Sequence, residues 1–114
     1  MMEGSLYPEA TLEIAKKREQ LAHETLSTWR SFSRQVFADG TLPAKTKDLI
    51  AVAVAHVTQC PYCIRAHTRS ALAKGATENE IMEAIWVAAE MRAGAAVAHS
   101  ALAIDVMKQA SASK

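Results

Sequence analysis

Residues 41–81 read TLPAKTKDLIAVAVAHVTQCPYCIRAHTRSALAKGATENEI, and their punctuation decides the fold. Pro43 suits the opening of a helix, and the pattern after it predicts one through 45–58. The stretch Leu49-Ile50-Ala51-Val52-Ala53-Val54-Ala55 is apolar on every side. A helix hydrophobic all round is buried all round, so this one is expected at the centre of the molecule. Pro61 opens the next helix, which places Cys60 at its N-cap and Cys63 in its first turn. That helix is expected to stop at Lys74-Gly75, where glycine suits the end. Thr77 followed by Glu80 three residues on is a capping box. The helix it starts carries Ile81, Ala84, Ile85, Ala88 and Met91 on one face. Gly94 is expected to divide it from a last helix, from Ala95 to about Gln109, with residues 110–114 frayed.

Working outward towards the N-terminus, Pro8 and Asp39-Gly40 bracket another helical stretch. Ile14, Leu21, Thr25, Trp29, Phe32 and Val36 recur there at helical spacing. A single helix of that length would reach roughly 45 Å, whereas a compact chain of this size has a radius of gyration of about 13 Å. The arm at residues 8–38 must therefore break near Thr25, Ser27 and Thr28 or pack against another subunit, and the second is the expectation. Nothing alternates with period two for long, and alanine is about one residue in five. The fold class is all-α, a single multihelical domain over 1–114 with no internal repeat and no linker.

The 114 residues carry 13 Lys+Arg against 12 Asp+Glu, a formal charge of +1. That gives no basic field for nucleic acid or an anionic membrane to follow, so neither is an expected partner. With 50% hydrophobic residues the chain is not disordered. No apolar run approaches the roughly 20 residues of a membrane span. The start MMEGSLYPEA lacks the basic and apolar regions of a signal peptide. The expected address is the cytoplasm, where a cysteine pair points to redox or metal chemistry rather than to a structural staple.

The chemistry concentrates in Cys60-Pro61-Tyr62-Cys63-Ile64-Arg65-Ala66-His67. Unpaired N–H groups at a helix N-terminus favour a thiolate, which makes Cys60 the more acidic sulfur. His67 lies four residues beyond Cys63 on the same face and can move a proton to or from it. Two sulfurs three positions apart can close to a disulfide without unfolding the helix. A rival reading takes His56, Cys60, Cys63 and His67 as four zinc ligands. Against it, His56 closes one helix while the other three sit on the next, with little loop between them to wrap an ion. Asp48, twelve residues before Cys60, is a further candidate, although the dipole at its own helix N-terminus is reason enough for an acid there. Trp29 and Trp86 are expected to pack, and Lys45, Lys47, Arg65 and Arg69 to form a solvated basic rim. His23 and His99 have no partner legible in the sequence.

Cys60-x2-Cys63-x3-His67, with Gly75 eight residues on and Glu80 five further, resembles the AhpD-like core of the carboxymuconolactone decarboxylase superfamily. The likeness runs over about residues 41–105. It implies alkylhydroperoxidase-type thiol chemistry on an all-α fold, with no cofactor and no metal. By this resemblance Cys63 attacks an organic hydroperoxide, Cys60 resolves the sulfenic acid to a disulfide, and His67 and Asp48 belong to the proton relay. Tyr62 and His56 are accessory candidates. The family's acid is usually Glu where this chain has Asp48, and its peroxidase members often have His where this chain has Tyr62. The resemblance also implies a dithiol reductant such as a lipoyl-bearing protein. Full-length peroxidase members carry two copies of the helical unit and this chain one, so a homo-oligomer, a trimer or hexamer, is expected. Members of the decarboxylase branch generally lack the cysteine pair. Decarboxylase-like chemistry, and a non-catalytic zinc or structural oligomer, stand as the alternatives.

Overall fold

The computed structural model describes residues 6–113, and among them there are helices and no strand. In chain order they are α1 (Leu12–Leu21), α2 (His23–Phe37), α3 (Ala44–Thr58), α4 (Pro61–Ala73) and α5 (Glu78–Ala112). Helix α3 lies between α4 and the first half of α5, while α2 touches it more lightly. No helix among the described residues is long and apolar enough to cross a membrane.

Local chemistry sets each boundary near the site. The Asp39 carboxylate accepts from Ala44 N–H at 2.7 Å and caps α3 from outside. At the other end Gln59 takes a left-handed conformation, φ 58° and ψ 47°, a position more often filled by glycine or asparagine. The turn lets Cys60 N–H reach the Ala55 carbonyl at 3.1 Å. Cys60 then begins α4 at once, with no loop between. Helix α4 ends on Gly75 at φ 92°. Gly75 N–H donates to Leu72 O at 3.0 Å and Ala76 N–H to Ala71 O at 2.9 Å, the paired closure of a Schellman end. Thr77 and Glu80 form the expected capping box, at 3.0 and 2.9 Å.

Val52, Ala71, Ala76 and Ile81 form the buried cluster, with Leu49 and Ile85 against it. These residues knit α3, α4 and the start of α5 into one unit that holds the α3–α4 corner rigid.

The structure departs from several expectations. The N-terminal arm breaks, and at Ala22 (φ −148°, ψ 51°) rather than at the weak formers beyond it. Its periodic face is not covered within the chain, since Leu21, Trp29, Phe32 and Val36 are exposed. Helix α3 is buried on one side only: Val52 and Ala55 are inside, Ile50, Val54 and Val57 outside. Gly94 does not divide the last helix, since one glycine costs a helix only about 1 kcal/mol; α5 runs 35 residues to Ala112. Residues 110–112, expected to fray, are helical. Met91 and Trp86 are exposed rather than packed. The long α5 and the arm give a radius of gyration of 20.0 Å and a length of 65 Å.

Candidate active site

The α3–α4 corner brings Asp48 and His67 together. Asp48 is 1% exposed, and its Oδ1 accepts from His67 Nδ1 at 3.0 Å. Its Oδ2 accepts from Ser70 Oγ at 2.7 Å and from the Lys74 ammonium. Lys74 Nζ also donates to Ser70 Oγ at 2.9 Å. Burial pushes the Asp48 carboxyl up, but hydrogen bonds from Lys74, Ser70 and His67, with the charge of Lys74, outweigh it and hold the group below its ordinary value. Asp48 is a fixed carboxylate. A carboxylate accepting at Nδ1 puts the ring proton there, so Nε2 is the nitrogen of a neutral His67 left to accept.

Phe37, the last residue of α2, stacks on the imidazole with centroids 4.7 Å apart and planes 29° from parallel. The ring of His67 is thus held by a carboxylate from α3 and an aromatic face from α2. Beside it lies a cleft of about 470 Å³ whose walls include Trp29, Val36, Phe37, Ile50 and Val54, with Cys63 and His67 both lining it. Lys47 borders the cleft, its Nζ donating to the Ala38 carbonyl at 2.7 Å.

Both cysteines are half-buried free thiols. Cys60 caps α4, its sulfur accepting from Cys63 N–H at 3.2 Å. A hydrogen bond from the Cys63 thiol, then those from the Cys63 and Tyr62 backbone, lower the Cys60 thiol below its ordinary value against a small cost of burial. The same thiol–thiol bond, with burial and the charge of Cys60, raises Cys63. The first thiolate therefore forms at Cys60, in the direction that the helix N-terminus dictates.

The two accessory candidates are engaged elsewhere. Tyr62 points to the N-terminal segment, donating from its hydroxyl to Pro8 O at 2.8 Å and meeting Tyr7 edge-on at 5.9 Å. His56 Nδ1 donates to the Val52 carbonyl one turn back, at 2.7 Å. Among the described residues no three His, Cys, Asp or Glu side chains converge to hold a metal ion, so the four-ligand set read from the sequence is not assembled. In the expected basic rim, Lys45 pairs with Glu80 at 3.0 Å. His23 and His99 also have partners, Glu19 and the Ala95 carbonyl.

The sequence reading did not single out Ser70, Lys74 or Phe37. His67, Ser70 and Lys74 stand at i, i+3 and i+7, one face of α4, and that spacing was the available signal. For Phe37 there was none, since its position depends on how α2 approaches α3.

The family model for the carboxymuconolactone decarboxylase family matches residues 23–105. Over 79 residues the chain is 62% identical to Uncharacterized protein 4 in cox locus of Paracoccus denitrificans, covering 69% of this chain and 71% of that protein. A crystal structure of a protein from Methanobacterium thermoautotrophicum is similar at a TM-score of 0.67 and 36% identity, over 71% of this chain and 93% of that one. A second, of a carboxymuconolactone decarboxylase family protein from Legionella pneumophila in its apo form, is similar at a TM-score of 0.65 and 32% identity, over 85% and 86%.

Proposed function

Because this chain belongs to the carboxymuconolactone decarboxylase family, we propose that it is a thiol-dependent peroxidase of the AhpD-like kind, reducing organic hydroperoxides through a Cys60–Cys63 disulfide cycle. The observation that carries the reading is the sharing of one apolar cleft by Cys63 and His67, with His67 oriented by the buried Asp48. Apolar walls suit the organic part of a hydroperoxide, and a thiol with a base beside it suits the oxygen–oxygen bond.

In the first step Cys63 gives its proton to His67 Nε2, and its sulfur attacks the terminal peroxide oxygen. The O–O bond breaks, the sulfur is oxidised to a sulfenic acid, and the alkoxide takes the proton back from His67 and leaves as alcohol. Cys60 then attacks the Cys63 sulfur and expels water, which needs one further proton, and the disulfide forms. The division of labour follows the acidity order. Cys60, lowered, is ready as a thiolate for resolution without a base of its own. Cys63, raised, needs a base, and a thiolate of higher pKa is the stronger nucleophile once formed. A dithiol donor, of the kind a lipoyl-bearing protein carries, would restore the pair through a mixed disulfide at Cys60. A reducing cytoplasm is the setting in which such a cycle turns over.

The same reading makes the active form a homo-oligomer, a trimer or hexamer. The chain exposes 9023 Å², whereas a compact monomer of its mass exposes roughly 6,100 Å². The surplus of about 2,900 Å² on one chain exceeds the roughly 800 Å² that each partner contributes to a standard interface. Trp29, Trp86, Val97, Leu102 and Met107 are among the large apolar side chains it leaves in water.

Replacing Cys63 with Ser tests the assignment. Consumption of cumene hydroperoxide with dithiothreitol as donor should fall to the uncatalysed rate; consumption that continues at the parent rate refutes the mechanism.

A further inference from the structure

Lys74 and Ser70 reach neither the cleft nor the cysteines in any described contact, yet both are committed to one oxygen of a buried acid. We infer that Lys74, seconded by Ser70, is a positioning residue for the reaction: it clamps Asp48 as a permanent anion, so that the proton leaving Cys63 stops at His67 and never passes to Asp48. This inference deepens the peroxidase reading and rests on it for the identity of the proton donor.

The geometry divides the two carboxylate oxygens between two tasks. Oδ2 is taken by Ser70 at 2.7 Å and by Lys74. Oδ1 is left for His67 Nδ1 at 3.0 Å. A second bond, Lys74 to Ser70 at 2.9 Å, closes a triangle that fixes the carboxylate plane, and the plane fixes the ring. Buried carboxylates without a cation tend to take up a proton rather than stay charged. With Lys74 in contact, neutralising Asp48 would strand that ammonium beside an uncharged acid. Lys74 keeps a 35% exposed side chain, so water screens it partly, but its partner oxygen is buried.

The other charged groups nearby do not substitute for it. On α3, Lys47 borders the cleft but is held by the Ala38 carbonyl. On α4, Cys63 lines the cleft beside the ring, and Cys60 is engaged as the cap of that helix. Helix α2 presents the uncharged ring of Phe37. From α5, Glu80 is paired with Lys45 and Arg92 with the Val57 carbonyl at 3.1 Å. The cation that Asp48 sees is Lys74.

The consequence is a short relay. His67 acts as the store for one proton, taken from the Cys63 thiol and returned to the alkoxide, while Asp48 holds Nδ1–H in place. Were Asp48 free to accept, the proton would be shared with a buried acid and returned more slowly to the leaving group.

The test uses Lys74→Met, Lys74→Arg and Ser70→Ala in the full chain, with thermal melts to confirm folding. Two readouts are taken. One is the ¹⁵N spectrum of the His67 ring, which needs no peroxide. The other is the pH dependence of disulfide formation with cumene hydroperoxide. The parent should show the proton on Nδ1. Lys74→Met should lose that fixed tautomer, slow disulfide formation about tenfold and move its acid limb to higher pH. Lys74→Arg should restore all three, and Ser70→Ala should fall between. An unchanged tautomer in Lys74→Met overturns the inference whatever the rate does, as does a shift that Lys74→Arg fails to restore. Should Lys74→Met fail to fold, Ser70→Ala decides on the same readouts, and parent-like results there overturn the clamp. If the parent itself forms no disulfide with peroxide, the peroxidase reading falls, while the ring spectrum still decides whether Lys74 holds the Asp48–His67 pair.

Discussion

At the α3–α4 corner Asp48 is buried with its acceptors taken by His67, Ser70 and Lys74, whereas along the second half of α5 Val97, Leu102, Val106 and Met107 are 72, 65, 63 and 65% exposed. The polar centre is complete within one chain and the apolar surface is not. Polar groups need their partners at fixed geometry to offset desolvation, so the Asp48 corner is assembled from elements close in sequence. Apolar surface asks only to leave water, and a second copy serves as well as the same chain. Damage should accordingly be felt in different places: a change at the corner within the chain, a change on α5 in the proposed assembly.

The largest effect is expected from Asp48→Ala. Removing one member of a buried charged set typically costs about 3–5 kcal/mol, and the low end applies because Lys74 can regain water. Urea denaturation of the two proteins measures it. A smaller effect of the same group is its response to acid. The folded chain holds the Asp48 carboxyl below its unfolded value, so its stabilisation is fully present above about pH 4. That stabilisation is lost as the pH falls through the lowered folded value. Asp48→Asn should therefore flatten the acid side of a melting-temperature profile, and a profile parallel to the parent's would show that the corner does not hold the charge as described. Next comes Thr77→Ala, which removes the cap of α5 on the side facing the corner and should cost about 1 kcal/mol. The smallest effect on the protomer is expected from Leu102→Glu, within about 0.5 kcal/mol for an exposed position. Its mark should appear instead in sedimentation, as loss of the proposed oligomer. A protomer destabilised by Leu102→Glu with its assembly intact would break the contrast between corner and helix face.

How much was legible follows the same line. Helix ends written in local chemistry were read from the sequence: Pro61 after Cys60, Gly75 at positive φ, Thr77 with Glu80. The pairing of Asp48 with His67 was expected only through resemblance, because nineteen residues and a helix crossing separate them and periodicity does not fix a crossing. The left-handed Gln59 that makes the crossing tight carries no compositional signal, being neither glycine nor asparagine. The departures fall where local patterns fix neither burial nor helix length. An all-apolar Leu49–Ala55 face reads as buried on every side, and in the protomer Ile50 and Val54 are open. Gly94 costs a helix about 1 kcal/mol, too little to break one flanked by strong formers such as Ala93, Ala95 and Ala96.

The cycle proposed for Cys60 and Cys63 turns on a disulfide made by peroxide. Its most direct test is the intact mass of the reduced protein after one equivalent of cumene hydroperoxide, followed by alkylation. A rapid loss of about two mass units is expected, with both cysteines closed to the alkylating agent. Two thiols still open after many minutes would contradict it.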